Sequence, residues 1–290
     1  MPYYELTVHC SRDQLAAIEA TLEDSSRVAL TIKDGEDNPI YEPKPGEMPL
    51  WDWLSLTVLF MQSDQQLSTL KTLQNNHPEC EFIATQLDDQ VWERVWMSHF
   101  KPLLFGRRTW IIPGGYDVVE ADDVNILLDP GLAFGTGTHA TTGLCLEWLD
   151  QHPPEDHCVV DFGCGSGILA VAALKLGASK VHCVDIDPQA IQATLMNAET
   201  NAVSAGIDVV EPENVAQLEQ LDGVIANILA APLMELEAQF ADMLKPNGYV
   251  VLSGILKEQL DWVVEKYSQR FVDIKTKIKD DWALVFARKG

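Results

Sequence analysis

The stretch from Cys158 to Pro188, CVVDFGCGSGILAVAALKLGASKVHCVDIDP, constrains this chain more than any other. A short apolar run ends in Asp161, and a loop containing Gly163, Gly165 and Gly167 follows. An apolar-periodic segment then runs from Ile168 to Leu176 and stops at Gly177. A second apolar run, Val181 to Val184, ends in Asp185. Strand, tight turn, helix and strand in that order form the opening unit of a doubly wound α/β domain. The glycines let the backbone turn sharply and approach a ligand where a Cβ would collide. Asp185 closes the second strand, where an acidic side chain can accept hydrogen bonds from two ribose hydroxyls. The stretch reads as a nucleoside site.

The glycine spacing narrows the nucleoside. A dinucleotide fingerprint is G-x-G-x-x-G, but here Ile168 occupies the third glycine's place and the pattern is G-x-G-x-G after Asp161. The lysine-bearing loop that cradles a nucleotide phosphate is also missing from the stretch. This combination resembles the first motif of the Rossmann-like methyltransferases that use S-adenosylmethionine. That cofactor has no phosphate, so the loop passes beside a sulfonium and an amino acid tail. Asp161 and Asp185, with the three glycines, are the cofactor-binding candidates of this stretch.

Net charge bounds the partners. The chain carries 20 Lys and Arg against 44 Asp and Glu, a net charge of −24. Nucleic acid binding depends on basic phosphate contacts, so direct nucleic acid binding is not expected. Long-range attraction favours a basic partner; the alternative is an acidic surface that serves solubility. The six cysteines are scattered without a C-x-x-C pair, which favours free buried thiols over a zinc site or disulfide frame. With no long apolar run and no basic-then-apolar start in MPYYELTVHC, a cytoplasmic protein without a membrane span is expected.

Residues 1–87 alternate strand-like and helix-like runs. Tyr3 to His9, Val28 to Ile32, Trp53 to Phe60 and Cys80 to Leu87 read as strands. Ser11 and Ser63 are candidate caps for helices bearing Leu15, Ile18 and Leu22, and Leu67, Leu70 and Leu73. The order β-α-β-β-α-β predicts a small α+β ferredoxin-like domain with a binding role. Residues 88–103, with Trp92 and Trp96, read as a helical connector that serves either as core packing or as a hinge. Residues 104–290 form the third segment.

Within that third segment, residues 107–119 look strand-like, and NILLDPGLAFGTGTHATT follows. Its Gly and Thr residues suit a loop that wraps a ligand, and Phe134 offers a face to adenine or a sulfonium. Thr138 or Thr141 is the expected cap of the next helix. Downstream, Val224 to Ala226 reads as a fourth strand with Asn227 at its carboxyl end, beside the glycine loop. Its amide carbonyl can hold a neutral amine in line with the cofactor methyl, which makes Asn227 the catalytic candidate; the alternative is a helix cap. Two closing strands, Phe271 to Lys277 and Trp282 to Ala287, form a hairpin of the kind that the methyltransferase fold carries.

The runs LLDPGLAFGTGTHATT, VVDFGCGSGILAVAALKLGA, VDIDPQAI and ANILAAPL resemble the bacterial ribosomal protein L-eleven methyltransferase family, PrmA, over nearly the whole chain. The resemblance implies a class I methyltransferase domain: a mostly parallel doubly wound sheet with a closing antiparallel hairpin. It implies S-adenosylmethionine as cofactor, with contacts at Thr142, Gly163, Asp185 and Asn227. The implied reaction methylates lysine amines and the N-terminal amine of one large-subunit ribosomal protein, which the N-terminal domain grips. Methylation of another amine, or cofactor binding without catalysis, are the alternatives.

Overall fold

A computed structural model describes residues 3–23, 25–36, 49–87, 101–120, 122–128 and 139–290. The chain divides into two compact units, Met1–Trp96 and Met97–Gly290.

The first unit runs β1 (Tyr3–Ser11), α1 (Leu15–Glu23), β2 (Ala29–Asp34), β3 (Trp53–Phe60), α2 (Ser63–Asn76) and β4 (Glu81–Leu87). Its sheet order is β2-β3-β1-β4, and each neighbouring pair is antiparallel. Period-two alternation puts Leu6, Val8 and Cys10 of β1 on the same buried face as Leu54, Leu56 and Val58 of β3. Against them pack Leu15, Ile18 and Leu22 of α1 and Leu73 of α2. Ser11 caps a 3-10 turn, Arg12–Gln14, that leads into α1, with the Ser11 N–H donating to Gln14 Oε1 at 2.8 Å, whereas Ser63 is the first residue of α2 and its N-cap is Gln62. On α2 the expected leucine stripe is rotated. Leu67 is exposed, while Gln66 and Thr69 are buried beside Leu73. The cause is polar: Gln66 Nε2 donates to the carbonyls of Glu5 and Thr85.

The second unit opens with a small sheet of β5 (Leu103–Phe105), β6 (Thr109–Pro113) and β7 (Val124–Leu128). The strand is therefore shorter than the strand-like run 107–119. Then follow α3 (Ala140–Gln151), β8 (Cys158–Phe162), α4 (Ile168–Lys175), β9 (Lys180–Val184), α5 (Pro188–Thr200) and β10 (Ile207–Val209). The chain ends with β11 (Leu221–Asn227), α6 (Ala230–Met243), β12 (Leu244–Leu256), α7 (Leu260–Tyr267), β13 (Phe271–Lys279) and β14 (Trp282–Lys289). The seven-stranded sheet has the order β10-β9-β8-β11-β12-β14-β13. Its first five strands are parallel, and β14 is antiparallel to both neighbours. Fold and closing hairpin agree with the sequence reading.

Parallel strands covered on both faces are apolar throughout, as Val224, Ile225 and Ala226 are in β11. Helix α4 is apolar all round, and Ile168 to Ala173 are all buried. Asp150 near the end of α3 anchors the small sheet. Its carboxylate accepts from the Arg107 N–H at 2.7 Å, the Arg108 N–H at 3.2 Å and the Thr109 hydroxyl at 2.7 Å. Strand order reverses between β8 and β11, the switch point where such sheets bind ligands beyond their carboxyl ends.

Candidate active site

The glycine loop leaves β8 at that switch point. Gly163, Gly165 and Gly167 have φ of 76°, 54° and 75°, the left-handed region that only glycine enters freely. The N–H groups of Gly163 and Cys164 both donate to the Val184 carbonyl, at 2.8 and 3.1 Å, and so strap the loop to the end of β9. Space is as tight as conformation. A Cβ on Gly163 would strike Ile228, and one on Gly167 would come within 2.8 Å of Thr194.

The two aspartates at strand ends part company here. Asp185 faces outward and organises the loop. Its Oδ2 accepts from the Gly165 N–H at 2.9 Å and its Oδ1 from the Asp187 N–H at 2.9 Å. Each carboxylate oxygen keeps a further lone-pair site for a ribose hydroxyl. Asp161 is 1% exposed and lies under the loop, where Oδ2 accepts from the Ala170 N–H of α4 at 3.0 Å. Its Oδ1 is buried without a partner among the described residues. Burial pushes the Asp161 carboxyl up to about 7, against the opposing pull of the Ala170 N–H.

A cavity of about 610 Å³ lies beyond Gly163, Gly165, Asp185 and Asn227, walled by Ile186, Ile228, Pro232 and Leu236. Asp161, Gly167 and Thr142 do not line it. Among the described residues its lining holds carboxylates but no Lys or Arg. That donor set repels a pyrophosphate and suits a phosphate-free, cationic nucleoside such as S-adenosylmethionine. Ile186 is 90% exposed between two aspartates, an apolar side chain at the cavity wall that sequence reasoning passed over.

Asn227 does not cap the following helix, whose N-cap is Leu229. Its Nδ2 donates instead to Thr142 Oγ1 at 3.2 Å, which brings two sequence-predicted site residues together across 85 positions. Thr142 itself is fully buried in the first turn of α3. That helix is capped by His139 and not by Thr141, while Thr138 lies outside the described residues. His139 Nδ1 accepts from the Thr141 N–H and lies 2.8 Å from the Thr141 hydroxyl. Burial lowers the His139 pKa, which favours the neutral ring such a cap requires. Phe134, and Trp92 and Trp96 of the connector, lie outside the described residues.

A family model described as Ribosomal protein L11 methyltransferase (PrmA) matches residues 2–290. The chain belongs to the PrmA family. Its relatives include the Ribosomal protein L11 methyltransferase of Shewanella sediminis, 46% identical over 98% of both chains. That of Nitrosococcus oceani is 42% identical over 98% of both. Among solved structures, a ribosomal protein L11 methylase from Lactobacillus delbrueckii subsp. bulgaricus is 33% identical with a TM-score of 0.61. It covers 66% of this chain and is itself covered completely. PrmA membership agrees with the resemblance carried by the four sequence runs, and the topology of the second unit agrees with the methyltransferase fold that the glycine loop and its flanking strands imply.

Proposed function

We propose that this protein is an S-adenosylmethionine-dependent methyltransferase that modifies lysine and N-terminal amines of the large-subunit ribosomal protein L11. The observation that carries the reading is Asn227: with Asp185 and the glycine loop it lines a cavity that holds no Lys or Arg among the described residues, and its Nδ2 donates to Thr142.

When bound, S-adenosylmethionine supplies a methyl group already activated on a sulfonium. Asp185 would hold the ribose, Gly163 and Gly165 would admit the close backbone approach, and Ile186 would offer its apolar side chain to the base. Asn227 Oδ1 accepts an N–H of the target amine and aims its lone pair. A lysine amine, with a reference pKa of about 10.4, must be neutral to attack. Ile228, Pro232 and Leu236 give the cavity an apolar wall that disfavours the charged form. The protein thus contributes position and desolvation, and with water or a carbonyl acceptor taking the amine proton no dedicated base is required.

The proposed organisation is a recognition domain at 1–87, a connector at 88–103 and a catalytic domain at 104–290. What supports a recognition role is the face of the first sheet away from its helices. Tyr3, Trp53 and Ile83 stand there 38%, 37% and 54% exposed. Glu5 and Glu81 alternate onto the same face, and the net charge of −24 favours a basic partner. No helix among the described residues is long and apolar enough to cross a membrane; a cytoplasmic site of action follows from the proposed substrate.

The test is mass spectrometry of ribosomal proteins from a strain lacking this protein, after incubation with purified enzyme and S-adenosylmethionine. Gain of whole methyl groups on L11 is the expected result. If no ribosomal protein gains mass while calorimetry still detects cofactor binding, the substrate assignment falls and the catalytic domain stands.

A further inference from the structure

An amide side chain presents an acceptor oxygen and a donor nitrogen of nearly the same shape, and its terminal torsion is soft. For an amine nucleophile the difference is decisive. With the oxygen inward, the amide accepts an amine N–H and leaves the nitrogen lone pair free to attack. With the nitrogen inward, it donates to that lone pair and blocks it. Something must choose between the two.

We propose that Thr142 makes the choice: it is a positioning residue whose hydroxyl holds Asn227 Nδ2, so that Oδ1 is presented to the methyl acceptor. The proposal rests on the reading of Asn227 given above and extends it to a residue outside the cavity. Three observations carry it. Thr142 is fully buried and does not line the cavity, yet its Oγ1 lies 3.2 Å from Asn227 Nδ2. The helix turn bearing it is fixed by the His139 cap, and the His139 ring stands edge-on to Trp282 at 4.9 Å. The Asn227 backbone is fixed as well. Ile228, the next residue, is wedged between Gly163 and Gly254, and a Cβ on either glycine would collide with it. Gly254 has a φ of 83°, so the wedge depends on glycine for conformation as well as for space. Backbone and hydroxyl together hold the amide with Nδ2 on Thr142 Oγ1.

The resemblance to the family implies a cofactor contact at Thr142, and the two roles predict different losses. Thr142→Val keeps the shape and removes the hydroxyl; Thr142→Ser keeps the hydroxyl. If Thr142 positions Asn227, the valine variant loses about tenfold in kcat while cofactor affinity by calorimetry stays within about twofold, and serine restores the rate. A readout in the free protein is the Asn227 side-chain amide signal in nitrogen-15 NMR, assigned by its disappearance in Asn227→Ala. Its hydrogen exchange should quicken in the valine variant. Unchanged kcat in Thr142→Val, or cofactor affinity that falls as much as kcat, overturns the proposal. Failure of the underlying reading is separate: Asn227→Ala would then turn over at the wild-type rate. If Asn227→Ala collapses, Thr142→Val added to it should cost nothing further, and a fully additive loss also overturns the positioning role.

Discussion

At the carboxyl edge of the seven-stranded sheet, nearly every polar or glycine position is constrained by a named neighbour. Gly163 and Gly254 have no room for a Cβ, Asp185 is held by two N–H groups, and Asn227 is tied to Thr142. The open face of the four-stranded sheet is the opposite. Thr7 sits across from Thr57 and Ile83, and His9 from Ser55 and Glu81, in ordinary cross-strand pairs. Chemistry on an activated methyl needs reacting atoms held in near-attack geometry, so its surroundings are over-determined. Gripping a protein surface needs area and charge, which many side chains can supply. Variants at the edge should therefore fail abruptly and variants on the face gradually.

The largest expected effect is at Asn227. Asn227→Ala should lower turnover about a hundredfold or more, and by clearly more than it weakens cofactor binding, because the contact with the amine is lost along with the implied cofactor contact. Single-turnover methyl transfer checks this, and an undiminished rate would reduce Asn227 to a scaffold residue. Asp185→Ala should act on the other term. Losing charge-assisted bonds to two hydroxyls weakens cofactor binding by about tenfold to a hundredfold, measured by calorimetry. An unchanged affinity would remove the ribose from Asp185.

The same contrast explains what the sequence made legible. Glycines that must adopt positive φ, and acids or amides that end apolar runs, leave local signatures, so the loop at 163–167, Asp185 and Asn227 could be read directly. Contacts made only by folding could not. Asp161 and Asp185 look alike as strand-end aspartates, yet one is buried against Ala170 and the other faces the cavity. The Asn227–Thr142 bond and the Ile228 wedge join distant segments and have no sequence period. On α2 the leucine spacing pointed to Leu67, but hydrogen bonds from Gln66 to two strand carbonyls turned the helix. Period predicts which face is apolar, not which polar residue wins a place beneath it.

On the recognition face, Trp53→Ala with Ile83→Ser should raise KM for the protein substrate about tenfold. Neither kcat at saturation nor cofactor affinity should move. A fall in kcat would mean that the two units do not divide the labour as proposed.

The smallest expected effect concerns Asp161, and its sign is set by burial. The folded carboxyl titrates at about 7, while an ordinary aspartate titrates near 3.9. The folded state therefore binds this proton more tightly than the unfolded state. Its contribution to stability is fully present below about pH 3.9 and is lost as pH rises toward about 7. Asp161→Asn cannot ionise, so its melting temperature should fall less than that of the wild type between about pH 5 and pH 8. The difference should be a few degrees. Parallel pH curves for the two proteins would show that Asp161 is already ionised at low pH and that its partnerless oxygen is compensated. The Asp161 carboxylate would then be as constrained as Asp185, and the edge of the sheet would contain no exception.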